Sequence, residues 1–255
     1  MRIYAIEHPV KSYTLLVPPS KVSQVGTALE NLANGPDAKR NPGMAALLML
    51  PGKKEPSIMV GITRFRPSAE IGEVMKPFLG LSPIPVIEKE LEWKDMTTVT
   101  DGLPISQPGG LKSTVSCGLQ KFSSEKFAAS LTWLEEVIEK FPAAKGSLAI
   151  WTWSGTKNTQ DESSAWSHGD VAVWDMNWIS VAKEDKFSYD GAMEMAGQLV
   201  GQLQADQGEE DRALFPNHTR TAKLEQRYTG VERREKLREA KMKWDPEGVF
   251  TREFL

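Results

Sequence analysis

The sequence is poor in the residues that build disulfides and metal centres. Among 255 residues there is one cysteine, Cys117, and there are three histidines, His8, His168 and His218. A single cysteine excludes an intrachain disulfide and any cysteine-based metal cluster. The histidines are too far apart along the chain to show metal-ligand spacing. We therefore expect no metal and no resident cofactor, and we expect Cys117, which lies in an apolar segment, to be a core residue.

Long apolar runs and a strong charge of one sign are also missing. No segment approaches the length of a membrane span, and residues 1–9 lack the apolar core of a signal peptide. The net charge is −3, which gives no electrostatic footprint for nucleic acid or an anionic membrane. Hydrophobic residues make up 40% and charged residues 25%, as in ordinary globular proteins. These features predict a cytoplasmic protein with neither nucleic acid nor membrane as a partner.

What the sequence does contain is an order of segments that occurs twice. Apolar runs with period-2 spacing alternate with helical patterns, which gives β-α-β-β-α over about 10–80 and again over about 112–206. The predicted strands are 13–17, 44–50, 57–63, 86–93, 114–122, 147–154 and 171–181. The predicted helices begin near residues 20, 68, 123 and 188, with Ser20 as the cap of the first and Ser123 or Ser124 as the cap of the third. The tail, 211–255, differs and carries a charged helix over 231–244. We predict one domain over 1–255, of the α/β (α+β) class, with a mixed, largely antiparallel sheet and helices on one face.

The two strands 147–154 and 171–181 hold most of the chemistry of interest. With the segment between them they contain five of the eight tryptophans. In the second strand, alternation places Asp175 and Asn177 on one face and Trp174, Met176 and Trp178 on the other. The apolar set is expected to face the core. The polar set is expected to face water or a ligand on the helix-free side of the sheet, under the loops 156–170 and 211–222.

Aromatic side chains suggest how an apolar ligand could be held there. Trp151 and Trp153 share one face of the first strand, and Trp166 lies in the loop that follows it. Two tryptophans on one strand face are compatible with core packing or with the wall of an apolar ligand cavity. Both interpretations stay open at this point.

Several segments resemble the C-terminal signature of berberine-bridge-enzyme-like (BBE-like) FAD-linked oxidases. The resemblance rests on Phe215-Pro-Asn-His, Tyr228-Thr-Gly, Arg234-Glu-Lys-Leu and Lys241-Met-Lys-Trp-Asp-Pro-Glu-Gly-Val-Phe250, in that order. The family's tail typically has Tyr-x-Asn-Tyr, Tyr-Tyr-Gly, an Arg-Leu helix and Lys-x-Lys-x-Asp-Pro-x-x-x-Phe. Ala165-Trp-Ser-His-Gly169 is similar to the family's aromatic-x-His-Arg strand entry. The resemblance covers essentially the whole chain.

The resemblance implies the substrate-binding half of such an oxidase without its flavin-binding domain. No Gly-x-Gly-x-x-Gly loop is present, and Gly109-Gly110, which follows Pro108, is typical of a turn. The resemblance also implies site residues. His218 matches the position that reaches the active site, Asp175 lies at or near the position of the family's base, and His168 resembles the His or Arg at the strand entry.

Two further polar residues could orient a substrate carbonyl, Asn217 and Arg220, although the family often has an acid where Arg220 stands. Each of these residues has a structural alternative. Asp175 could be a solvent-facing carboxylate, and His168 and His218 could be hydrogen-bonded or hydrated loop residues.

Without a flavin, side chains offer no hydride acceptor. We therefore predict a flavin-independent enzyme of natural-product biosynthesis that holds an apolar small molecule in one conformer. It would promote a cyclisation or cycloaddition of Diels–Alder or hetero-Diels–Alder type, an isomerisation or a dehydration. The alternative is a substrate-binding subunit or fragment of an FAD-linked oxidoreductase, or a non-catalytic binding protein. A homodimer and a separate flavin-domain protein are the partners considered.

Overall fold

Seven strands form one sheet in this computed structural model. It describes residues 10–36, 38, 41–64, 71–81, 87–92, 95, 109–154, 171–209, 212–214, 228 and 230–249. The strands are β1 Val10–Val17, β2 Gly43–Leu48, β3 Ser57–Arg64, β4 Ile87–Leu91, β5 Leu111–Leu119, β6 Leu148–Trp153 and β7 Val173–Val181. The helices are α1 Val22–Ala33, α2 Ile71–Leu79, α3 Ser124–Lys140, α4 Lys186–Leu203 and α5 Val231–Trp244. Short 3-10 turns, Pro19–Lys21 and Pro142–Ala144, precede α1 and follow α3.

The strand order is β4-β1-β3-β2-β6-β7-β5, and every described pair of strands is antiparallel. The predicted β-α-β-β-α order is confirmed twice, as β1-α1-β2-β3-α2 and β5-α3-β6-β7-α4. The second strand of each unit, β2 or β6, joins the two units at the middle of the sheet. The predicted fold class is therefore confirmed.

Local signals explain where the helices begin. Ser123 caps α3 by accepting a hydrogen bond from the Lys126 N–H, at 3.3 Å, as one of the two predicted caps. Asp185 caps α4 through the Ser188 N–H, at 3.0 Å. The expectation that Ser20 caps α1 is wrong, because the chain first makes the 3-10 turn and α1 follows Lys21 without a side-chain cap.

The main core lies between the sheet and helices α1 to α4. It contains residues from all four helices, among them Leu29, Phe78, Phe127 and Leu199. Cys117 is fully buried in it, as predicted. On the opposite face, a second cluster consists of strand residues and Leu50, which lies two residues after the end of β2. Its members are Met44, Ala46, Leu48, Leu50, Met59, Leu148, Ile150, Met176 and Trp178.

Helix α5 has the bounds predicted from the sequence. None of its described side chains is buried, and Met242 and Trp244 are largely exposed. The solvated charged helix is thus confirmed. No helix among the described residues is long and apolar enough to cross a membrane.

Candidate functional site

The two faces of β7 are the reverse of those predicted. Asp175 and Asn177 are fully buried, whereas Trp174, Met176 and Trp178 are half-buried. Asp175 lies opposite Trp151 of β6, whose indole packs on the ring of Phe127 in α3. The polar pair therefore points into the core between sheet and helices, and the predicted exposure to water or ligand is wrong.

The predicted orientation of β7 rested on the polarity of its side chains. Aromatic and sulfur-containing side chains suggested a core, and a carboxyl group suggested solvent. In the structure both faces of β7 are apolar environments, so the polarity of the side chains does not separate them. Asp175 is an exception to the rule that carboxyl groups stay in water.

Trp151 and Trp153 also face the helices. The ring of Trp151 lies 5.0 Å from that of Phe122 and 5.7 Å from that of Phe127, and its N–H donates to the Ser130 hydroxyl at 3.1 Å. Trp153 donates its N–H to the Asn41 carbonyl at 2.8 Å. These contacts give the N–H group of each indole a hydrogen-bond acceptor inside the main core. Their placement on a ligand-facing side is wrong, and their burial argues against direct substrate contact.

Burial controls the ionisation of Asp175. Removal from water raises the pKa of its carboxyl group to about 8, and the side chains of Asn177 and Trp151 offset part of that shift. Asn177 donates its amide N–H to Asp175 Oδ2. Among the described residues, Oδ1 of Asp175 and Oδ1 of Asn177 have no hydrogen-bond partner. The carboxyl group is therefore mostly protonated at neutral pH, and it is fully buried.

The remaining predicted site residues are Trp166, His168, Asn217, His218 and Arg220, and all five lie outside the described residues. Most of the two loops expected to cover the site lies outside them as well. Catalytic roles for His218 and His168, and substrate contacts for the others, stay predictions.

The helix-free face of β2, β6 and β7 is the predicted side of the site, but it carries apolar residues that the sequence reasoning did not place there. Its second cluster includes Met44, Ala46, Leu48, Leu148, Ile150, Met176 and Trp178. Together with Trp174, which lies on the same face of β7, we call these residues the strand-face platform. A signal was available, because β2 and β6 are apolar at both alternating sets of positions. Such strands are buried on both faces.

Hydroxyl groups border this platform. Ser116 of β5 lies opposite Met176, is fully buried, and its hydroxyl has no partner among the described residues. Thr114 lies opposite Trp178 and is also buried. In the described parts of β1–β3 and β5–β7 this face carries no carboxylate and no imidazole. A proton acceptor for chemistry here must come from another segment, as His218 is predicted to do.

The described cavities lie elsewhere. One of about 300 Å³ is found where β1 ends beside the β2–β3 hairpin, and Leu16, Leu50 and Lys53 line it. Another, of about 270 Å³, lies between α3 and α4. Neither contains a predicted site residue. Among the described residues, no group of three or more His, Cys, Asp or Glu side chains is placed to hold a metal ion.

Comparison with solved structures supports the resemblance stated from the tail. BBE-like protein 28 from Arabidopsis thaliana superposes with a TM-score of 0.74 at 12% identity, over 96% of this chain and 56% of that one. BBE-like 1 from Physcomitrella patens gives 0.70 at 14%, over 98% and 54%. A glucooligosaccharide oxidase from Acremonium strictum gives 0.68 at 16%, over 99% and 56%.

No protein-family model and no curated protein matches the sequence. At such low identity the superpositions establish the fold and nothing finer. The chain spans a little over half of the length of these relatives. Over essentially its whole length, this protein has the fold of the matched part of the BBE-like FAD-linked oxidases.

Proposed function

We propose that this chain works as the substrate-side half of an FAD-linked oxidoreductase, together with a flavin-binding domain that these 255 residues do not supply. The observation that carries the proposal is the coverage of the superpositions. They include 96–99% of this chain but only 54–56% of each relative. The comparisons favour this hypothesis over an autonomous flavin-free enzyme.

The described residues fit the ring of FAD better than its nucleotide part. The half-buried members of the strand-face platform, Met44, Met176 and Trp178, are apolar and suit contact with one face of a planar isoalloxazine ring. Ala46, Leu48, Leu148 and Ile150 are already buried. A pyrophosphate is often held by free N–H groups at a helix start that follows a glycine-rich loop. Because the sequence contains no Gly-x-Gly-x-x-Gly loop, the nucleotide part of FAD is proposed to lie on the partner domain.

When bound, the flavin would supply the hydride acceptor that side chains lack. This chain's own contribution would be to exclude water and to position an apolar small molecule. Trp174, Met176 and Trp178 would provide the apolar surface, and the unpartnered Ser116 hydroxyl could hydrogen-bond to a polar atom that reaches it. His218 is proposed as the proton acceptor or donor, with Asn217 and Arg220 orienting the substrate.

Titration with riboflavin tests the platform, because riboflavin carries the flavin ring without the pyrophosphate. A flavin stacked beside Trp174 and Trp178 should lose fluorescence. We expect a Kd on the order of 10⁻⁴ M, from about −0.3 kcal/mol per non-hydrogen atom over roughly twenty ring atoms. Met176→Glu should abolish the quenching by placing a charge in the platform.

Ile87→Glu is the matched control, because Ile87 lies on the edge strand β4 and is 47% exposed. It should leave the titration unchanged, and circular dichroism should show both variants folded. Absence of quenching in the wild-type chain, or equal loss in both variants, would refute the proposal.

The flavin-independent hypothesis stays a prediction that the comparisons do not test. If the chain alone accelerates a cyclisation or dehydration, His218→Ala should lower kcat by ~10²–10⁴, the usual contribution of one positioned acid or base. An unchanged rate in that variant would remove His218 from the chemistry.

A further inference from the structure

Strand β7 connects two environments that cannot be perturbed independently. Asp175 and Asn177 point into the helix-facing core, and Trp174, Met176 and Trp178 alternate with them on the strand-face platform. Neighbouring residues of a strand share one backbone. A shift of β7 that relocates Asp175 therefore also displaces the side chains on either side of it.

The surroundings of Asp175 accept a neutral acid and no anion. Cys117 faces it from β5 and Trp151 faces it from β6. From α3, Ser130 is bound to the Trp151 indole, and Lys126 pairs with Asp206 at 2.6 Å. Helix α4 contributes Ala192, Ala196 and Leu199 to this core.

No described cation pairs with Asp175, and burial raises the pKa of the Cys117 thiol well above its usual range, so the thiol stays neutral as well. A carboxylate formed here would meet neutral donors among the described residues, the Asn177 amide and the Trp151 indole, and no cation. An uncompensated buried charge costs several kcal/mol, so the side chain must move toward water.

We infer that the proton on Asp175 is a conformational switch for the strand-face platform: loss of the proton shifts β7 and displaces Trp174, Met176 and Trp178. The consequence for flavin or substrate binding rests on the function proposed above. The displacement itself does not.

The test is fluorine NMR of the full chain labelled with 5-fluorotryptophan, titrated between about pH 6 and pH 10, around the raised pKa of Asp175. Trp174→Phe and Trp178→Phe assign the two platform resonances. We expect both resonances to shift with a single midpoint near the Asp175 pKa, which burial raises to about 8. Asp175→Asn should abolish that transition, because the amide keeps the shape and cannot ionise.

Cys117→Ala should keep the transition, which separates the carboxyl group from the neighbouring thiol. Three results would overturn the inference. They are a shift confined to Trp151, the survival of the transition in Asp175→Asn, and the simultaneous movement of all eight tryptophan resonances to unfolded positions.

Riboflavin quenching of the same samples then separates the two proposals. Wild-type quenching that falls across the transition supports both. If the platform resonances titrate while riboflavin never binds, the switch stands and the proposed function fails. If riboflavin binds while the platform resonances do not titrate, the switch fails and the function stands.

Discussion

At the scale of single residues, the buried carboxyl group of Asp175 makes the stability of the fold depend on pH. Its pKa is raised by burial to about 8 in the folded chain, against 3.8 when exposed. The folded state therefore binds one more proton than the unfolded state between these values, and stability must fall as pH rises through this window. We predict that the free energy of unfolding falls by about 1.4 kcal/mol per pH unit through this group between about pH 5 and pH 7.5.

Urea denaturation at several pH values measures this slope. Asp175→Asn should flatten it and should be more stable than the wild type near pH 7.5, because the amide needs no proton. Equal slopes in the two proteins would mean that Asp175 ionises normally in the fold.

Trp151 shows the opposite situation, because its indole N–H has a hydrogen-bond acceptor inside the core. Its ring is 0% exposed, touches Phe122 and Phe127, and donates to Ser130. Trp151→Ala should cost about 3–5 kcal/mol of stability through the cavity it leaves. Trp244, which is 79% exposed on α5, supplies the control, and Trp244→Ala should change stability by less than about 0.5 kcal/mol. Chemical denaturation of both variants checks the contrast, and comparable losses would contradict it.

At the scale of elements, α4 contains glycines with opposite constraints. An added Cβ at Gly191 would lie 2.2 Å from Cζ of Phe141, a buried ring after α3, while one at Gly197 would meet nothing within 4 Å. Alanine favours helix by roughly 0.5–1 kcal/mol over glycine. Gly197→Ala should therefore raise the melting temperature. Gly191→Ala should lower it, because overpacking a rigid ring costs about 1–3 kcal/mol.

Thermal unfolding of the two variants decides whether α4 is held by its contact with Phe141. A higher melting temperature in both variants would show that the Phe141 ring moves aside without a cost in stability. A loss in both would show that helix propensity does not limit α4.

At the scale of the whole molecule, the pyrophosphate of FAD should add no affinity for this chain. The platform offers an apolar surface for the ring, whereas the sequence contains no Gly-x-Gly-x-x-Gly loop for the pyrophosphate. We predict that riboflavin and FAD quench with Kd values within about threefold of each other, a free-energy difference below about 0.7 kcal/mol. Parallel fluorescence titrations measure both. An FAD affinity tenfold higher would reveal a phosphate site on this chain and would contradict the prediction.

The sequence alone determined the order of elements, because period-2 and period-3.6 spacing are local properties. It predicted the repeated β-α-β-β-α units, the cap at Ser123 and the bounds of α5, and its tail motifs indicated the fold that the superpositions found. Tertiary structure decided which face of each strand meets the helices. For β7 that choice depended on pairing with β5 and β6 and on contacts with α4, which bring together residues far apart in the chain. Because both faces are apolar, residue polarity could not show that Asp175 belongs in the core and Trp178 on the platform.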